Sequence, residues 1–162
     1  MNFSSEYMPV RILIIGYGNP HRQDDRVGHD AADEIQRWAD ENSLDTIRVI
    51  TAYQLDLDMV EDAIQADVVI FIDAHIPEFS DGISFTTVEP GNSAGFTTHA
   101  FTAGDILSLC NSLYAKAPQA FILSIPGYAF DMEDTLSPRT QELLPQAFDL
   151  LKTKIKELLT TD

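Results

Sequence analysis

The chain has little cysteine and few basic side chains. A single cysteine, Cys110, in 162 residues excludes an internal disulfide and favours the reducing cytoplasm as the setting. Lysine and arginine total 10 against 26 acidic residues, which gives a formal net charge of −16. Such a chain would repel the phosphates of nucleic acid and of anionic membranes. A metal ion or a basic protein surface is a better-matched partner, although acidity can also serve solubility alone.

Long apolar runs are also absent. No stretch approaches the roughly 20 apolar residues that cross a bilayer, and residues 1–7 lack the basic-then-apolar pattern of a signal peptide. We therefore expect a soluble, cytoplasmic protein without a membrane partner. The length fits one domain over 1–162, with 1–8 as a loose arm. The predicted core uses every apolar helix face, so none remains to contact a second copy of the chain, and we expect a monomer.

Apolar strands and amphipathic helices alternate along the first half of the chain. This alternation predicts a parallel sheet with helices on both faces. Only nine residues separate Asp73 from the next predicted strand, which is too few for a parallel crossover, so that strand should run antiparallel. The predicted segments are strands at 10–16, 48–51, 67–73 and 83–89, and helices at 24–41 and 55–65.

The second half of the chain adds two helices and one strand. Thr102 and Asp105 have the spacing of a capping box, which predicts a helix start. A strand follows at 120–125, and Ser137 before Pro138 predicts the start of the last helix. Pro145 predicts a kink or restart near residue 144. The fold class is therefore α/β, a three-layer sandwich with a mixed, mostly parallel five-stranded sheet and strand 83–89 antiparallel.

The first strand leads into a glycine turn and two adjacent carboxylates. Gly16 and Gly18 permit a sharp turn, and Asp24 is predicted to cap the first helix. Asp25 then lies at the carboxyl end of the strand, where open α/β sheets bind ligands. A dinucleotide site is disfavoured, because its third glycine is replaced by His21 and no acid ends the second strand.

Asp25, Asp73 and His99 are the candidate metal ligands. Asp73 closes the third strand, so parallel neighbours could bring it to the same rim as Asp25, with His99 completing the set across the loop 90–98. Two carboxylates and an imidazole with open positions suit a divalent ion such as Zn, Ni or Mn. The competing imidazoles are His21, His29 and His75, of which His29 is expected on the exposed face of the first helix.

Nucleophilic catalysis has little support in the sequence. Cys110 lies on an apolar helix face and is interpreted as a small core residue. Ser124 lies within a predicted buried strand and lacks the glycines of a nucleophile elbow. No Ser-His-Asp or Cys-His arrangement is evident.

The ordered set of motifs resembles the hydrogenase maturation proteases, which trim the C-terminal extension from the large subunit of nickel-iron hydrogenases. The resemblance extends over about 10–159. It departs from the common pattern at His21, Arg22 and Arg26, and Asp25 replaces a frequent glutamate. The matching stretches are 18–28 with its paired acids, 70–74, 98–99 followed by 104–107, 124–127 and 136–138.

The resemblance implies a twisted mixed sheet and a role for each candidate residue. Asp25, Asp73 and His99 would contact nickel carried by the precursor, Asp25 and Asp73 being the catalytic pair of an aspartic-type peptidase. Gly18 and Asn19 would join His99 in substrate binding. Water would be activated by a carboxylate or by the metal, and other divalent ions can occupy the site. The alternatives are a non-proteolytic metal-binding escort of the large subunit and a small-molecule metallohydrolase.

Overall fold

The computed structural model describes residues 8–91 and 101–160. Apart from exposed Met8, the predicted N-terminal arm lies outside this range. In the described residues no helix is both long and apolar enough to cross a bilayer.

The strands are β1 (Ile12–Tyr17), β2 (Ile47–Ala52), β3 (Val68–His75), β4 (Ser84–Thr87) and β5 (Gln119–Pro126). The helices are α1 (Val27–Glu41), α2 (Met59–Ile64), α3 (Ala103–Tyr114) and α4 (Pro138–Thr160), with a 3₁₀ turn (Gln23–Arg26) before α1.

The strands form one mixed sheet in the order β2-β1-β3-β5-β4. All neighbouring pairs are parallel except β4 with β5, which is antiparallel. The predicted α/β class and the antiparallel strand are therefore confirmed, although β4 is shorter than the predicted 83–89. Its short connection to β3 cannot cross the sheet, so β4 reaches the outer edge of β5 instead.

Helices cover both faces of the sheet and bury its central strands. On one face, Ile14 and Ile70 pack with residues of α1 and α4. On the other face, Leu13 and Phe71 pack with residues of α2 and α3, including Ile106. Because β1 and β3 are buried on both sides, their sequences are continuous apolar runs rather than alternating ones.

Two predicted helix features differ from the structure. Asp24 does not cap the first helix, because α1 begins at Val27 and Asp24 lies in the preceding 3₁₀ turn. Of the predicted kink or restart near residue 144, the restart is wrong, because α4 continues through Pro145. The kink stays a prediction. Its apolar face packs on the core through Leu144 and the residues that follow on the same side, and this packing sustains the helix.

Helix α3 begins as predicted. The backbone N–H of Asp105 donates to Thr102 Oγ1 at 3.1 Å, and the Thr102 N–H donates to Asp105 Oδ2 at 2.9 Å. This reciprocal pair is the capping box expected from the sequence.

A topological switch point lies between β1 and β3. The chain leaves β1 towards β2 on one side and later returns to β3 on the other side. The connections after these adjacent strands therefore diverge and leave a crevice at their carboxyl ends, the usual ligand position in open α/β sheets. Asp25 follows β1 and Asp73 lies near the end of β3, so the fold brings both predicted carboxylates to this rim.

Candidate active site

Asp73 and Tyr17 are neighbours on the face of the sheet that carries α2 and α3. Gly16 is paired with Ile72, so the next residues, Tyr17 and Asp73, lie side by side at the ends of β1 and β3. The Tyr17 side chain hydrogen-bonds the Asp73 carboxylate, and the Ala74 N–H donates to Asp73 Oδ1 at 2.8 Å. Asp73 is therefore held from two directions. The contact with Tyr17 was missed in the sequence, although aligning the two strand ends would have indicated it.

Asp25 approaches the same position from the 3₁₀ turn. Its backbone N–H donates to the Arg22 carbonyl oxygen at 3.0 Å, and its Oδ2 accepts the Asn19 N–H at 2.9 Å. The Asp25 side chain stays partly exposed, close enough for its charge to act on Asp73. The structure thus brings together two of the three predicted ligands.

The environment of Asp73 changes its acidity strongly. Burial raises the pKa of the Asp73 carboxyl to about 7, and the negative charge of Asp25 adds to this rise, while the hydrogen bonds from Ala74 and Tyr17 oppose it. Burial and the nearby Asp73 carboxylate also raise the pKa of Tyr17, so its hydroxyl stays protonated and can donate. A carboxyl group that titrates near neutral pH can both take up and release a proton during a reaction.

Gly18 and Asn19 shape the turn that presents Asp25. Gly18 has φ of +138°, and a Cβ there would lie 2.1 Å from the Asp25 carbonyl oxygen, so only glycine fits. Asn19 is 7% exposed; its Nδ2 donates to the Tyr53 hydroxyl at 2.6 Å and its Oδ1 accepts the His21 N–H at 2.9 Å. Both residues therefore support the site structurally, and their contact with substrate stays a prediction.

Asp24 is a buried anchor that sequence reasoning assigned to a different role. Its Oδ2 accepts hydrogen bonds from the N–H groups of Tyr128 and Ala129 and from the hydroxyls of Ser137 and Thr140, at 2.6–3.0 Å. Its Oδ1 accepts the Ser137 N–H at 2.8 Å. Burial alone would raise the pKa of Asp24, but these hydrogen bonds outweigh it and lower the pKa. The donors lie more than 100 residues away, so no local pattern could have indicated them.

His99 lies outside the described residues, and its position relative to Asp25 and Asp73 stays a prediction. In residues 8–91 and 101–160, no three histidine, cysteine or acidic side chains form a group suited to holding a metal. The competing imidazoles have other partners. His29, only partly exposed, bonds the Gly18 carbonyl oxygen at 2.8 Å. His21 contacts Asp134 Oδ1 at 3.0 Å, and His75 Nε2 bonds the Ser80 carbonyl oxygen at 2.7 Å.

The two candidate nucleophiles also have clear positions. Cys110 is fully buried in the core beneath α3, as predicted. Ser124 is paired with Asp73 in the register of β3 and β5, and with Ser84 across β4. In the described residues no imidazole hydrogen-bonds Ser124, so these residues do not form a Ser-His pair.

Comparisons with known proteins find similarity in fold. No family model and no curated protein sequence matches the chain. The solved endopeptidase HybD of Escherichia coli is similar at a TM-score of 0.74 and 16% identity, covering 91% of this chain and 93% of HybD. The maturation protease HycI of Thermococcus kodakarensis has a TM-score of 0.69 at 18% identity, covering 96% of both chains. A hydrogenase 2 maturation peptidase from a Thaumarchaeota archaeon has a TM-score of 0.64 at 19% identity, covering 90% of this chain and 97% of its own. The chain therefore has the fold of the hydrogenase maturation proteases, as its motifs indicated.

Proposed function

We propose that this protein is an endopeptidase that removes the C-terminal extension from the large-subunit precursor of a nickel-iron hydrogenase. The observation that carries the proposal is the Asp25–Asp73 pair at the switch point of the sheet. Proteins that share this fold over most of their length include the maturation endopeptidases HybD and HycI. The ordered motifs of the sequence support the same activity. Action in the cytoplasm as a monomer belongs to the proposal as well.

The proposed role of Asp25, Asp73 and His99 is to contact the nickel already bound to the precursor. Carboxylate oxygens and an imidazole nitrogen are suitable ligands for a divalent transition metal. The metal arrives as part of the substrate, so a precursor without nickel would lack the contact that orients its tail. Cleavage would then follow metal insertion and not precede it.

Asp73 is the preferred base in this proposal. Its pKa near 7 allows it to accept a proton from the attacking water and to return a proton to the amide nitrogen of the leaving peptide. The Ala74 N–H and the Tyr17 hydroxyl would keep the Asp73 carboxylate in one orientation. Activation of water by the precursor's nickel is the alternative route.

Mass spectrometry of the precursor tests this function. Wild-type protein should shorten the nickel-loaded precursor by the mass of its extension and leave the nickel-free precursor intact. Asp73→Asn should abolish the cut with an unchanged circular dichroism spectrum, because the amide cannot act as the base. Asp45→Asn, an exposed acid before β2, is the matched control and should cut normally.

Two results would contradict the proposal. Normal processing by Asp73→Asn would show that Asp73 is not the catalytic base. A nickel-loaded precursor that binds the wild type yet keeps its mass would instead favour the non-proteolytic escort.

A further inference from the structure

The loops at the carboxyl rim of the sheet expose large apolar side chains. The loop after β2 carries Tyr53 and Leu57, the loop after β3 carries Ile76 and Phe79, and the loop after β5 carries Met132. Phe79 is 82% exposed and Met132 is 71% exposed. We call these five side chains the apolar rim. All three loops leave the sheet at its carboxyl edge, so these side chains lie at one end of the sheet. Several large exposed apolar side chains at one end of a protein are typical of protein interaction surfaces.

Hydrogen bonds hold the loops of the apolar rim together. Asn19 Nδ2 in the β1 loop donates to the Tyr53 hydroxyl at 2.6 Å, which joins this loop to the loop after β2. The Tyr128 hydroxyl donates to Asp81 Oδ1 at 2.8 Å, which joins the loops after β3 and β5. The Arg139 guanidinium also bonds Asp81 and lies 4.4 Å over the Tyr128 ring. A surface fixed in this way loses little conformational entropy when a partner binds.

The same loops are acidic. Of their acids, Asp81 pairs with Arg139 and Asp134 with His21, whereas five others form no ion pair within the described residues. Nearby basic side chains are engaged, since Arg22 contacts Phe130 and Arg26 bonds Asp30. The acids without an ion pair are Asp56, Asp58, Glu78, Asp131 and Glu133.

We propose that the apolar rim and the acids around it form a docking surface for a folded, basic protein partner, the hydrogenase large-subunit precursor. This inference rests on the proposed function, because the rim lies at the same carboxyl edge of the sheet as the Asp25–Asp73 pair. The partner contributes lysine and arginine side chains around an apolar patch, which Phe79 and Met132 contact as central anchors. A second copy of this chain is a poor occupant, because two chains of charge −16 repel each other.

The test compares rim variants with a matched exposed residue elsewhere. Leu113 is 60% exposed near the end of α3, which precedes the start of β5 and so lies away from the carboxyl rim. Affinity for the nickel-loaded precursor is measured by biolayer interferometry, and KM and kcat by mass spectrometry. Phe79→Ser and Met132→Ser should each weaken binding and raise KM by about tenfold with little change in kcat. Leu113→Ser should behave as wild type.

The charge of the partner is tested by salt and by charge removal. Raising sodium chloride from about 50 to about 500 mM should slow association of the wild type. The combined variant Glu78→Gln, Asp131→Asn, Glu133→Gln should associate more slowly at low salt and lose most of the salt dependence. An association rate that does not depend on salt would contradict the proposal that the partner is basic.

The outcomes separate this inference from the proposed function. If the wild type cuts the precursor and both rim variants keep the wild-type KM, the docking surface is overturned and the peptidase stands. If the wild type binds through the rim but leaves the mass unchanged, the peptidase is overturned and the docking surface stands. If the wild type neither binds nor cuts the precursor, both are overturned.

Discussion

Replacing Asp24 with asparagine tests whether this buried carboxylate stabilises the rim of the sheet that carries the Asp25–Asp73 pair. Five hydrogen bonds converge on Asp24, four on Oδ2 and one on Oδ1. An asparagine retains one acceptor oxygen and places an NH₂ group at the other position. The most favourable orientation keeps the oxygen at the Oδ2 position. The NH₂ group then faces the Ser137 N–H, and both are donors.

The expected loss of stability follows from these contacts. A buried donor without an acceptor costs about 1–3 kcal/mol, and hydrogen bonds to a charged group are stronger than neutral ones by about 1 kcal/mol. The four hydrogen bonds that remain become weaker, but their individual losses are not additive. The neutral amide also costs less to bury than the carboxylate, which offsets part of the loss. We therefore expect Asp24→Asn to lower the free energy of unfolding by about 3 kcal/mol. This corresponds to a fall in Tm of about 6–12 °C for a chain of this size.

The pH dependence of stability should show that the ionised form of Asp24 is the stabilising one. The pKa of Asp24 is lowered in the folded state, so its contribution to stability is present above its unfolded pKa of about 4 and is lost as pH falls through the folded value. Urea unfolding of wild type and Asp24→Asn between about pH 7 and pH 2.5 should therefore show a difference that shrinks below about pH 4. The exposed Asp45→Asn variant is the control.

Two outcomes would refute this reasoning. A loss below about 1 kcal/mol at pH 7 would mean that the five hydrogen bonds add little to stability. A difference between wild type and variant that stays constant down to pH 2.5 would mean that the ionised form of Asp24 is not the stabilising one.

Two further predictions concern the neighbours of the carboxylate pair. Tyr17→Phe removes a hydrogen bond that favours ionised Asp73, so the pKa of Asp73 should rise above about 7. Carbon-13 NMR titration measures this pKa, and an unchanged value would contradict the contact between Tyr17 and Asp73. Gly18→Ala places a Cβ 2.1 Å from the Asp25 carbonyl oxygen at a φ of +138°, and it should lower Tm and activity together. Retention of both at wild-type values would contradict this turn geometry.

The sheet could be predicted from sequence because its signals are local. The apolar runs of β1 and β3 do not alternate, which indicated burial on both faces. The short connection after Asp73 indicated an antiparallel strand, since a parallel crossover needs more residues. Thr102 and Asp105 lie three residues apart, so their capping box was visible within one turn.

Other features depend on residues that meet only after folding. Pro145 indicated a kink or restart because proline lacks a backbone N–H and so leaves out one helical hydrogen bond, and packing on the distant sheet sustains α4. Tyr17 lies 56 positions before Asp73, and their contact depends on the register of two strands. The sequence therefore predicted the proximity of Asp25 and Asp73 but not the groups that orient Asp73.

The two adjacent aspartates have different roles because their side chains point in different directions. Asp24 points inwards and fixes residues 128–140, whereas Asp25 points to the rim beside Asp73. The two are one residue apart in the same 3₁₀ turn, so anchoring Asp24 also fixes the backbone that carries Asp25. The anchor further holds the loop that bears Met132, an apolar side chain of the rim. Asp24 thus positions both the proposed catalytic pair and the proposed docking surface from a buried position, and in that proposal its burial has a functional reason as well as a structural one.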